Sequence, residues 1–317
     1  MILVTGATGF VGGALVRRLA ADGTFNGVVA AVRREVAFLP EGVRQALVGD
    51  LLPPTKWETA LLGIDVVVHC AARVHVMHDD ASDPLDAYRI VNVDGTLNLA
   101  RQAAQAGVRR FVFISSIKVN GEATQPGRPF TADDIPMPVD PYGVSKLEAE
   151  QGLQIIAAQT GMEVVIVRPP LVYGPGVKAN FESMMRWLAR GLPLPLAAVT
   201  ENRRSLVALD NLVDLVVTCL KYPAAANQTF LVSDGEDIST ADLLKRMGDA
   251  MGQPARLLYM PPALLKLGAT LLNKPGIYQR LCGSLQLDIT KTRQLLDWTP
   301  PVLVDEGLRC AVEDFRP

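Results

Sequence analysis

The hydrophobic positions of this chain fall into short unbroken runs separated by longer stretches of helical period. "ILVT" leads into a helix-like pattern reaching about Asp22. Then come "VVAAV", "ALVG", "VVVHC", the long pattern "DAYRIVNVDGTLNLARQAAQ", "FVFIS", a pattern opening near Pro141, and "VVIV" before Arg168. Runs that are apolar at every position predict strands covered on both faces, and strands alternating with helices predict a parallel sheet. The expected fold class is α/β: a doubly wound parallel Rossmann sheet over residues 1–168. After Arg168 the punctuation "PP", "YGPG" and "GLPLPL" breaks the alternation, which predicts a smaller mixed lobe over residues 169–317. Within that lobe "SLVALDNLVDLVVTCL" and "TFLVSD" read as a helix and a strand returning to the main sheet, so residues 205–235 are expected to belong with the first domain.

The first strand runs directly into "TGATGFVGG", which sets Gly6, Gly9 and Gly12 between a strand and a helix. Backbone can approach a pyrophosphate there, and the helix N-terminus can receive its charge. The spacing is G-x-x-G-x-x-G, not the commoner G-x-G-x-x-G. Its position after the first strand predicts a dinucleotide site, where the plainer reading is a tight turn. An acid ending the second strand would accept from the adenosine ribose, whereas an arginine pairs with a 2′-phosphate. The chain offers Arg33 and Arg34, so NADP is expected, and Glu35 keeps NAD open. "GDL" at 49–51 ends the third strand and puts Asp50, with Leu51 beside it, within reach of an adenine; a turn carboxylate is the alternative for Asp50.

In "PYGVSKLEAE", Asp140 and Pro141 read as the N-cap and first position of a helix. Tyr142 and Lys146 then share one face. An ammonium beside a phenol favours the phenolate, and lowering a pKa from about 10 to about 7 takes roughly 4 kcal/mol. A solvated surface pair is the bland alternative. Ser115 and Ser116 end the fifth strand at the edge where such sheets bind ligands, and Ser116 completes a hydroxyl, phenol and ammonium set.

Composition narrows the classes. Apolar residues make up 49% and charged residues 20%, with a net charge of −2, so the chain is globular. It has no Lys/Arg block of the kind that binds nucleic acid. The four cysteines are far apart with no CxxC pair, which fits free thiols in a reducing compartment. No secretory signal pattern opens the chain, and a cytoplasmic location is expected. "MPPALLKLGATLL", residues 260–272, is too short to span a bilayer; a helix covering a substrate site is expected there, not contact with a membrane surface. His69, His75 and His78 lack a ligand spacing, so no metal is expected, while His75 follows the fourth strand at the crevice edge and could touch substrate.

With "TGATGFVG", "GDL", "HCAA", "NVDGTLNL", "ISSIKVNGE", "PYGVSK", "RPPLVYGPG", "NRRSLVALDNLVD" and "LLDWTP" in this order, the chain resembles the extended short-chain dehydrogenase/reductase family, in its nucleotide-sugar epimerase and reductase branch. The resemblance covers almost the whole chain. It implies that Tyr142 is the acid/base, that Lys146 anchors the nicotinamide ribose and polarises the phenol, and that Ser116 binds the substrate oxygen. It further implies that Phe10 and Val11 line the cofactor phosphates with the three glycines, that Ala71, Ala72 and Arg73 lie along the cofactor, and that Asn92 supports the active-site loop. The second lobe is expected to hold a UDP-sugar, with Asn180 and Arg204 near the diphosphate. Arg280 is either a second phosphate ligand or a surface arginine, because "LCGSLQLD" departs in length from the epimerase pattern. Pairing of the fourth and fifth helices across a homodimer is expected by analogy.

Relatives that dehydrate at C4 and C6 place an Asp and a Glu directly after the catalytic hydroxyl; here Ile117 and Lys118 stand there. Those that epimerise beside a ketone use a Cys and His pair, and no cysteine lies near Ser116. Two reactions remain. Arg33, and Asn120 where many epimerases carry Tyr, favour NADPH-dependent reduction of a UDP-4-keto-6-deoxy-N-acetylhexosamine for surface polysaccharide synthesis. The alternative is an NAD-dependent UDP-sugar 4-epimerase. A non-catalytic NADP-binding regulator is the remote third reading, opposed by the presence of both Tyr142 and Lys146.

Overall fold

The computed structural model describes residues 1–74, 84–271, 275–313 and 315. In chain order the elements are β1 (Ile2–Thr5), α1 (Phe10–Ala21), β2 (Val28–Val32), β3 (Val43–Leu47), β4 (Val66–His69), α2 (Pro84–Tyr88), a π-helical turn (Arg89–Gly95), α3 (Thr96–Gln105), β5 (Arg110–Ile114), α4 (Pro141–Thr160) and β6 (Glu163–Arg168). They continue with β7 (Leu171–Tyr173), α5 (Ala179–Ala189), β8 (Arg204–Ala208), α6 (Leu209–Lys221), β9 (Thr229–Leu231), β10 (Asp237–Ile238), α7 (Thr240–Ala250), α8 (Pro262–Leu271), α9 (Pro275–Cys282), α10 (Thr290–Leu296) and α11 (Val304–Glu313).

A seven-stranded sheet runs in the order β3-β2-β1-β4-β5-β6-β9, with every neighbour parallel. Strands β1, β2, β4 and β5 are buried at every position, because helices cover both faces of the sheet. Successive residues enter opposite cores. Ile2 and Val4 meet Leu15 of α1 and Leu212 of α6, while Leu3 joins Leu99 of α3 and Leu153 of α4. The edge strand β3 is half-exposed.

A second sheet, β10-β8-β7, is mixed, with β7 and β8 parallel and β10 antiparallel to β8. Its core is drawn from Tyr173, Phe181, Leu244 and Leu308. Between its strands, α6 lies with α1 over the large sheet and β9 extends that sheet beside β6. The strand order reverses between β1 and β4, which opens a crevice at the carboxyl ends of these strands.

Candidate active site

The turn after β1 is shaped by close backbone approach. Gly6 has φ of +63°, and a Cβ there would lie 2.8 Å from the Ala71 nitrogen. A Cβ on Gly12 would lie 2.2 Å from the Gly6 carbonyl oxygen. The first turn of α1 has no side-chain cap and no acidic residue, so its N–H groups are left for a ligand. This fits a dinucleotide pyrophosphate in both space and charge. Phe10 and Val11 are half-buried against the sheet core.

The loop after β4 is held by the π-helical turn, a device that recurs at functional sites. Asn92 Oδ1 accepts from the Arg73 N–H at 2.8 Å, and its Nδ2 donates to the Arg73 carbonyl and to Ser145 Oγ, each at 3.0 Å. Ser145 Oγ in turn donates to the Tyr142 carbonyl at 2.8 Å. Asn92 therefore ties the loop of Ala71, Ala72 and Arg73 to the helix of Tyr142 and Lys146. Gly95, in the same turn, lets Leu51 approach: a Cβ there would lie 2.8 Å from the Leu51 carbonyl oxygen. His75 and His78 lie outside the described residues. His69 is a buried strut between Thr5 Oγ1 (2.7 Å) and Thr96 Oγ1 (3.0 Å), and burial, then Lys146, pulls it down to about 3. Among the described residues no cluster could hold a metal ion.

Helix α4 starts as its sequence suggests. Asp140 caps it by accepting from the Gly143 N–H at 2.6 Å, and Pro141 follows in the first turn. Lys118 pairs with Asp140, so the residue after Ile117 braces the helix start. Tyr142 stands edge-on to Tyr88, with ring centroids 6.0 Å apart. Lys146 is fully buried; its Nζ donates to the Ile114 carbonyl at 2.8 Å and sits 4.4 Å from the Phe113 ring centroid.

The electrostatics differ from the sequence expectation. Desolvation pushes the Tyr142 phenol up, with Asp140 and Tyr88 adding to it. The same desolvation pulls Lys146 down to about 8, against Glu150 and Cys70, which hold it up. Four-residue spacing puts the two on one face, but desolvation dominates both shifts, so the phenol is not held acidic by its neighbour.

The two serines ending β5 have separate fates. Ser115 turns inward and donates to Glu150 Oε1 at 2.5 Å. Ser116 stays half-buried at the strand edge, its Oγ accepting from the Lys118 N–H at 3.3 Å. Glu150 also takes a two-pronged contact from Arg168, at 3.0 Å and 2.5 Å, and Arg168 reaches Asn120 Oδ1 at 2.9 Å. This buried network beneath the site went unread in the sequence. Its signal was a lone Arg168 ending an apolar strand and Glu150 one turn beyond Lys146.

The other expected residues lie further out. Arg33 and Asp50 are both well exposed and form an ion pair at 3.7 Å across the ends of β2 and β3, and Arg34 is exposed. Arg204 opens β8 and donates to the Gly283 carbonyl at 3.1 Å, just past the helix carrying Arg280; burial pulls Arg204 down. Asn180, in the first turn of α5, and Arg280, on α9, are exposed.

Fold and crevice together define a Rossmann protein of the short-chain dehydrogenase/reductase kind, in its extended form with a second lobe. The chain belongs to the NAD dependent epimerase/dehydratase family, whose model matches residues 2–233. It is 49% identical over 317 residues to a UDP-glucose 4-epimerase of Vibrio cholerae, covering 99% of this chain and 95% of the relative. A UDP-glucose 4-epimerase of Mycolicibacterium smegmatis is 32% identical, with 99% and 98% covered. Among solved structures, MoeE5 in complex with UDP-glucose and NAD superposes with a TM-score of 0.75 at 27% identity, covering 98% of this chain and 97% of that one.

Proposed function

We propose that the protein is a UDP-sugar 4-epimerase that retains its nicotinamide dinucleotide through each cycle. The observation that carries this reading is the 49% identity with the Vibrio cholerae UDP-glucose 4-epimerase, because it spans both lobes. The relatives favour it over the ketone reduction expected from the sequence. That expectation leaned chiefly on Arg33, which is solvated and weakly paired with the Asp50 carboxylate, whereas the solved relative MoeE5 is in complex with NAD. NAD is the cofactor proposed here.

When bound, the nicotinamide supplies the hydride acceptor and donor. Tyr142 takes the proton from the sugar 4-hydroxyl and returns it once the 4-keto sugar has turned its other face. Ser116 Oγ holds the same oxygen by a hydrogen bond. Lys146, with its pKa at about 8, stays charged at pH 7 and is the cation nearest in the helix turn to offset the cost of a Tyr142 phenolate. In the second lobe Arg204, with Asn180 and Arg280, holds the diphosphate.

The test is incubation of purified protein with UDP-glucose, and separately with UDP-N-acetylglucosamine, with NAD in catalytic amount and nucleotide sugars resolved by NMR. Interconversion of the C4 epimers without net cofactor reduction is expected. Stoichiometric NADPH consumption on a UDP-4-keto-6-deoxy-N-acetylhexosamine, with no epimer formed, returns the reading to a reductase.

A further inference from the structure

Helix α8 (Pro262–Leu271) buries none of its residues. Leu265 packs partly onto the core of the small lobe, which accounts for one side of the helix. A separate face carries Leu264, Leu267 and Leu271, spaced by three and four so that they form a single stripe, and they are 54%, 55% and 78% exposed. Tyr259, just ahead of the helix, is 79% exposed. Scattered exposed leucines need no explanation, but a helix apolar on two faces is one that something covers.

Charge says what covers it. Between Asp249 and Asp288 the chain has no acidic residue, although its net charge is −2. Arg256 and Lys266 are exposed in that stretch. A second copy of the same face would set these cations against their own kind with no carboxylate to meet them. An anionic lipid surface matches both properties, since it takes the leucines below its headgroups and offers phosphates to the cations. The helix is also too short to span a bilayer, so it would lie in the plane of the interface. We infer that the outer face of α8 docks the protein onto an anionic membrane surface, with the leucine stripe inserted and Lys266 at headgroup level. The inference is independent of the epimerase reading, and it replaces the sequence expectation that this segment covers a substrate site, because the helix leaves this leucine stripe open to solvent.

The full-length protein is sedimented with vesicles of phosphatidylglycerol and phosphatidylcholine, and with phosphatidylcholine alone. It is expected to pellet with the anionic vesicles and less so at high salt. The triple variant Leu264→Asp, Leu267→Asp and Leu271→Asp should lose at least about tenfold in partitioning, and Lys266→Glu should weaken it, both with unchanged melting temperature. Failure to pellet with anionic vesicles, or pelleting of the triple variant as well as the parent, overturns the inference. So does a solution dimer that the triple variant converts to monomer, since a second copy would then be what covers the face.

Discussion

Replacing Lys146 by methionine removes a fully buried ammonium that desolvation pulls from 10.5 down to about 8. A shift of that size corresponds to about 3 kcal/mol of folding free energy. Below pH 8 both folded and unfolded chains carry the proton, and the desolvation cost is present in full. Between pH 8 and 10.5 the unfolded chain holds more protons than the folded one, so raising the pH stabilises the parent protein. The variant also gives up the 2.8 Å bond to the Ile114 carbonyl, which weakens in the parent as the ammonium loses its proton. Cys70 and Tyr142 titrate in both proteins and cancel to first order. Urea unfolding at a series of pH values should therefore show the parent gaining about 3 kcal/mol on Lys146→Met between pH 8 and 10.5. A difference that stays flat across this range would mean that Nζ is solvated, and the account of the site's electrostatics would fail.

Tyr142→Phe should lower turnover at least ~100-fold with dinucleotide binding retained, as steady-state epimerisation and NAD titration would show. Glu150→Ala leaves Arg168 as an unpaired buried charge and should cost about 3–5 kcal/mol in urea unfolding. Replacing both by apolar residues of similar volume should recover most of that loss. Gly12→Ala puts a methyl 2.2 Å from the Gly6 carbonyl and should weaken NAD binding at least about tenfold, measured by calorimetry.

Much of this architecture was legible because burial on both faces writes itself as unbroken apolar runs, as in "VVAAV" and "FVFI". The start of α4 was equally plain, since an Asp-Pro pair before a helix has a specific backbone role. The small sheet was not, because β7 has three residues and β10 two, too few for any period to register. Glu150 hid in "KLEAE", where Glu148 and Glu150 look alike although Glu148 meets Arg89 nearer the surface and Glu150 is sealed under Ser115. The direction of the Tyr142 shift could not be read either. Spacing puts Lys146 on the same face, but only three-dimensional packing shows that both groups are desolvated.

One carboxamide, that of Asn92, holds both backbone groups of Arg73 and leans on the serine beneath Tyr142. Whatever displaces the loop of Ala71, Ala72 and Arg73 must either break this grip or drag helix α4 with it. The position of this loop is thereby mechanically linked to the placement of the phenol, and an exchange of that amide for a side chain with one arm, such as Asn92→Ser, would let the two drift independently.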